Sequence, residues 1–192
     1  MKPYYKEAFD FVNKFHPVPD SVFDKLYEMG TYREIKSNKK LLRQGVIPQK
    51  LYFLAKGVVR SYIILDSGKE LTKTLINEYM FFSSFRALLK QRPTNTIFET
   101  LTDCHIFEID FKDFYLLCYQ DMNVMTVYNR YLEYLILLNE SRFIELSTKD
   151  ATKRYLALRE RIHNLDNIIP QYQIAASLGI TPVQLSRIRA KL

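Results

Sequence analysis

Thr181-Pro182-Val183-Gln184-Leu185-Ser186-Arg187-Ile188-Arg189-Ala190-Lys191 interleaves cationic, amide and hydroxyl side chains with apolar anchors at helical spacing. A helix that reads base edges in a major groove needs those groups. Arg187 is the candidate for guanine, because a guanidinium spans its O6 and N7; Gln184 can read adenine, and Val183 can touch a thymine methyl or pack internally. Thr181 offers a hydroxyl cap and a phosphate contact at the helix start, and Ser186 can face DNA or bond its own backbone. Phosphate contacts are also expected from Gln171, Gln173, Arg189 and Lys191. The competing reading is a helical hairpin packed on its own domain, its cations simply solvated.

The residues before this segment can position it. Ile174, Ala175 and Leu178 form an apolar stripe on a short first helix, and small Ala176 allows close helix–helix approach. Gly179 can take the left-handed conformation that turns the chain, and Pro182 sits where a first helical residue needs no N–H donor. A third amphipathic helix over 151–164 completes a compact unit through Tyr155, Leu156, Leu158 and Ile162. Residues 149–192 hold eight Lys/Arg against three Asp/Glu, a surplus of five within the chain's net +7. Such a basic quarter suits a polyanion, since cations that neutralise phosphates release condensed counterions.

Upstream the pattern changes twice. Phe9, Val12, Phe15, Val22, Phe23, Leu26 and Met29 recur at helical spacing around the His16–Pro19 loop. From about residue 32 to 109, short apolar runs at 41–43, 51–55, 58–65, 70–76, 98–101 and 105–109 alternate with turn signals, which predicts a small antiparallel barrel or sandwich. A short helix over 82–89 interrupts them. Residues 121–147 then predict one long helix in which Met125, Tyr128, Leu132, Leu135, Asn139, Arg142 and Leu146 follow the 3,4 spacing of a coiled-coil seam. Val124, Val127, Tyr131, Leu138 and Phe143 form a second apolar edge. Two apolar faces need two partners, so a parallel homodimer with its interface at Met125, Tyr128, Leu132, Leu135 and Asn139 is expected, against a helix sandwiched within one monomer.

In this order the parts resemble the Crp/Fnr family of bacterial transcription regulators. The likeness rests on Leu41-Leu42-Arg43-Gln44-Gly45 followed by Leu51-Tyr52-Phe53-Leu54-Ala55-Lys56-Gly57, with two glycines 12 apart around a Tyr-x-Leu strand. It continues through the Asp66-Ser67-Gly68-Lys69 hairpin to Leu178-Gly179-Ile180-Thr181-Pro182 and Leu185-Ser186-Arg187-Ile188. The resemblance implies an α+β fold: a cyclic-nucleotide-binding-like antiparallel β-roll (a double-stranded β-helix) within 1–120, a dimerisation helix over 121–147, and a helix-turn-helix domain over 148–192. It further implies a homodimer on pseudo-palindromic double-stranded DNA, with RNA polymerase and a small-molecule effector as further partners. In cyclic-AMP-binding relatives a Gly-Glu pair takes the ribose and an Arg-Ser or Arg-Thr pair takes the phosphate. This chain has Ser83-Ser84 and Thr94-Asn95 at those places, so cyclic AMP is not the expected effector. Ser83, Ser84, Arg86, Thr94 and Asn95 are the candidate lining of a pocket for another ligand. No β-hairpin wing is expected after the recognition helix, where the sequence ends.

Other classes fit less well. His16, His105 and His163 fall in three separate segments, unlike the converging ligands of a metal-dependent roll enzyme, and no nucleophile triad or carboxylate pair is legible. A non-enzymatic protein without metal or resident cofactor is therefore expected. Cys104 and Cys118 are expected as core thiols of a cytoplasmic protein, and no apolar run is long enough to span a membrane. The alternative function is a sensing β-roll whose DNA binding is weak or lost.

Overall fold

The structure, a computed structural model, describes residues 2–192. Two helices, α1 (Tyr5–Asn13) and α2 (Asp20–Glu28), precede eight strands: β1 (Gly30–Ile35), β2 (Lys40–Leu42), β3 (Lys50–Lys56), β4 (Val59–Ile64), β5 (Glu70–Ile76), β6 (Met80–Phe82), β7 (Ile97–Thr100) and β8 (Cys104–Asp110). Helix α3 (Phe85–Lys90) lies between β6 and β7. The strands form two antiparallel sheets of order β1-β8-β3-β6 and β2-β7-β4-β5, the double-layered roll implied by the family resemblance.

Strand β3 shows why the roll closes. Tyr52 and Leu54 point inward to meet Phe82, Phe98, Val59 and Ile106. Leu51, Phe53 and Ala55 point outward and are covered by α1, α2 and two later helices. Both faces are buried, so β3 is apolar along nearly its whole length. Gly57 ends the strand at φ +101°, and a Cβ there would meet Asp103 O and Cys104 Sγ at 2.7 Å.

Two strands escaped the sequence reading. β1 has no fully buried side chain and therefore carries little apolar signal. At β6, Phe82 enters the roll while Phe81 packs outward on Tyr131, so the chain is extended where a helix from 82 was expected; that helix begins at Phe85.

Aspartates cap the next three helices. Asp110 starts α4 (Phe111–Gln120), Asp121 starts α5 (Met122–Thr148) and Asp150 starts α6 (Ala151–Arg161), each accepting backbone N–H bonds. Helix α6 stops before the expected boundary at 164. Asn164 turns left-handed at φ 55° and a short α7 (Leu165–Ile168) intervenes. Helices α8 (Gln171–Ser177) and α9 (Pro182–Arg189) end the fold. No helix among the described residues is long and apolar enough to cross a membrane.

Helix α5 corrects the expected dimer seam. Tyr128 is buried against Phe114, and Met125, Leu132 and Leu135 pack against the same core, so this stripe is turned toward the monomer's own roll. Asn139 is exposed and donates its side-chain amide to Leu135 O. The apolar face left open lies elsewhere: Ile136 and Leu137, then Phe143 and Ile144 one heptad later, are 67%, 61%, 71% and 52% exposed. The 3,4 spacing was genuine, but the aromatic-rich core claimed that face.

Candidate nucleic-acid interface

Ile174 and Ala175 on α8 and Leu185 on α9 are fully buried together with Tyr155, Leu165 and Ile169, which locks the last four helices into one unit. Ala175, rather than Ala176, is the small residue at the centre of the contact. Gly179 makes the turn at φ +69°, while Ile180 N–H returns to Ala175 O at 3.1 Å. Asp166 ties the unit further: it accepts from Tyr155 Oη at 2.8 Å and lies 3.3 Å from Arg159 Nε and 3.7 Å from Arg189 Nε.

Helix α9 starts with a reciprocal capping box. Thr181 N–H donates to Gln184 Oε1 at 2.8 Å, and Gln184 N–H donates to Thr181 Oγ1 at 3.2 Å. Pro182 occupies the first turn as expected. This geometry corrects two assignments. Thr181 N–H is already used inside the helix, and Gln184 Oε1 is engaged, so neither is free for the contact expected of it. Gln173 is also corrected: it is only 5% exposed, below the reach of a phosphate.

What remains open on α9 is one continuous face. Val183 is 61% exposed, which decides against an internal packing role. Ser186 and Arg187 follow one turn later, and Lys191 lies just past the helix end; all are exposed, and neither Arg187 nor Lys191 forms an ion pair among the described residues. Gln171, also exposed, donates to Pro182 O at 3.3 Å and so braces α8 against α9. Arg189 is partly drawn inward by Asp166. The signal that could have found the capping box was in plain view: Thr181 and Gln184 stand three apart at a helix start.

The candidate ligand pocket does not assemble as one site. Ser83 Oγ donates to Lys50 O at 2.8 Å, and Thr94 Oγ1 donates to Ser84 Oγ at 2.8 Å, so these hydroxyls satisfy one another and the backbone. Arg86 and Asn95 are exposed. The roll interior is filled by rings: Tyr52 stacks on Phe82 at 5.2 Å, and Phe82 meets Phe98 at 5.3 Å. Neither principal cavity includes these five residues. Burial raises the Cys118 thiol to about 11 and also raises Cys104, consistent with core thiols. His105 sits between Tyr4 and Tyr32, bonded to Tyr32 Oη at 2.6 Å; among the described residues no cluster could hold a metal ion.

A β-roll, a long helix packed along it and a C-terminal helix-turn-helix define a class of two-domain proteins. Residues 32–121 match the family model of the cyclic nucleotide-binding domain, and the fold of the chain as a whole is similar to that of several solved structures. The catabolite activator protein of Thermus thermophilus is 21% identical, with 93% of this chain and 85% of that one covered at a TM-score of 0.58. FixK2 from Bradyrhizobium japonicum is 18% identical, covering 85% and 84% at 0.70. The c-di-GMP responsive global regulator CLP of Xanthomonas campestris is 16% identical, covering 90% and 91% at 0.67. No curated protein matches the chain in sequence.

Proposed function

We propose that this protein is a sequence-specific, homodimeric DNA-binding transcription regulator of the cytoplasm, without enzymatic activity. The observation that carries the reading is the exposed face of α9, where Val183, Ser186 and Arg187 stand free on a helix anchored from behind by Leu185. Arg187 reads guanine, Val183 contacts a thymine methyl, and Lys191 and Gln171 take phosphate. The open α5 stripe of Ile136, Leu137, Phe143 and Ile144 supplies the dimer contact and sets two α9 helices on half-sites about one helical turn apart. RNA polymerase is the downstream partner that a regulator of this kind would engage.

The roll acts as scaffold rather than as a cyclic-AMP receptor. Its interior is filled by Tyr52, Phe82 and Phe98, and the Ser83 and Thr94 hydroxyls are already engaged. A cyclic phosphate placed there would lack a charged partner, which buried anions require. Cyclic AMP is expected to leave the melting temperature unchanged; a saturable rise would overturn this part of the reading. In vitro selection from random duplexes at fixed salt tests the whole. A pseudo-palindromic consensus is expected, and sequence-indifferent recovery would refute the proposal.

A second reading, a sensor with weak or lost DNA binding, draws on a cavity of about 70 Å³ between α1, α2, the outer face of β3 and β8, and α5. Its lining includes Phe23, Phe81, Phe107 and Tyr131, so its occupant would be a small apolar molecule. Sequence-indifferent recovery, together with stabilisation by an apolar ligand, would favour this reading.

A further inference from the structure

The C-terminal unit docks on the roll, with Val58, Leu75 and Leu101 joining its hydrophobic core. Beside that contact lies a second cleft, of about 240 Å³, walled by β5, the later turns of α5, α6 and the end of α8. Its volume far exceeds the ~10–15 Å³ that admits one water.

The cleft collects cations from three elements: Lys73 on β5, Arg142 on α5, and Arg154 and Arg161 on α6. The only carboxylate that lines it among the described residues, Glu145, is already held by Lys149 at 2.8 Å. Arg154 gives its terminal nitrogens to the Lys149 and Leu178 carbonyls at 2.9 and 3.1 Å, but its Nε is buried without a partner. Arg142 Nε is likewise buried and unpaired, and Lys73 reaches only a hydroxyl, Thr96 Oγ1, at 3.3 Å. Crowding by protein pulls Arg161 down to about 10, and the positive charge of Arg142 adds to the fall. Burial lowers Arg142 as well.

Like charges gathered around unfilled space, with donors left over, describe a receptor for an anion. Planar guanidiniums match phosphate oxygens in pairs, which a chloride cannot exploit. We propose that this cleft binds a small phosphorylated anion, held by Arg142 and Arg161 with Lys73 and Arg154 at its edges. The bound anion bridges roll, long helix and helix-turn-helix unit, and so strengthens their docking. The site does not depend on the DNA-binding proposal.

Thermal melts and calorimetry on the full chain, at constant ionic strength set with chloride, test it with inorganic phosphate, diphosphate, ADP and a short duplex. Phosphate or one of the small phosphorylated probes is expected to raise the melting temperature saturably. Arg142→Gln and Arg161→Gln should each weaken that probe at least ~tenfold, the scale of one lost charge-assisted contact. Arg161→Lys should retain a weaker response, and circular dichroism shows that each variant is folded. Arg187→Ala, outside the cleft, should keep the full phosphate response while losing operator recognition, which separates failure here from failure of the DNA reading. The proposal falls if no small probe raises the melting temperature, or if both glutamine variants respond as the wild type does. It falls equally if only the duplex responds through Arg142 and Arg161, since the cleft would then contact a DNA backbone.

Discussion

Replacing Phe143 with Glu should dissociate the proposed dimer without unfolding the protomer. In the single chain Phe143 is 71% exposed and Ile136 67%, so neither contributes much to the core. Full burial of such a side chain is worth ~1.5–3 kcal/mol, and roughly two-thirds of that is still available to an interface. One Phe143 from each copy therefore contributes ~2–4 kcal/mol to the dimer, and two glutamates facing each other across a two-fold axis add repulsion. At 1.4 kcal/mol per tenfold, dissociation should rise on the order of 100-fold. Sedimentation velocity over a broad concentration range reads the change directly, with circular dichroism reporting the fold. Leu132→Ala is the discriminating control. Leu132 packs on the monomer core, so this change should lower the melting temperature more than it weakens association. The reasoning is refuted if Phe143→Glu sediments as the wild-type dimer, or if the wild type is monomeric throughout.

Three other outcomes follow from the same structure. Gly57→Ala should cost at least ~2 kcal/mol in urea unfolding, because a left-handed backbone and three contacts of 2.7–2.8 Å combine there. Gly45→Ala, with φ +83° and open space around it, should cost only ~1 kcal/mol; equal losses would show that the close approach at Gly57 is immaterial. Burial raises Cys118 from 9.0 to about 11, and Tyr52 and Tyr128 from 10.0 to about 12. Their contribution to stability is complete below the ordinary values and is lost as pH climbs through the folded ones, so the melting temperature should fall between about pH 9 and 12. A flat profile over that range would contradict the burial of these groups.

The order of parts was legible because each leaves a different periodicity: alternation or short apolar runs in the strands, 3.6-residue spacing in the helices, and Gly179-Ile180-Thr181-Pro182 at the turn. β5 emerged with its exact bounds because Gly68 marks the hairpin that precedes it. What escaped was partner choice. Met125, Tyr128, Leu132 and Leu135 display an apolar stripe equally suited to a second helix or to the protomer's own roll, and only the tertiary core decides between them. Gln173 reads as a surface amide in sequence, yet α8 turns it inward. The cationic cleft was invisible for the same reason: Lys73, Arg142 and Arg161 are far apart in the chain, and docking alone brings them together.

The central claim is that α9 reads DNA sequence. Fluorescence anisotropy with the selected operator and a scrambled duplex, at one fixed salt concentration, tests it most directly. The wild type should prefer the operator by at least ~10³, and Arg187→Ala should lose ~1–3 kcal/mol of operator affinity and relax preference at one base per half-site while scarcely changing binding to the scrambled duplex. Equal affinity of the wild type for both duplexes, or an Arg187→Ala variant with undiminished preference, would contradict the account.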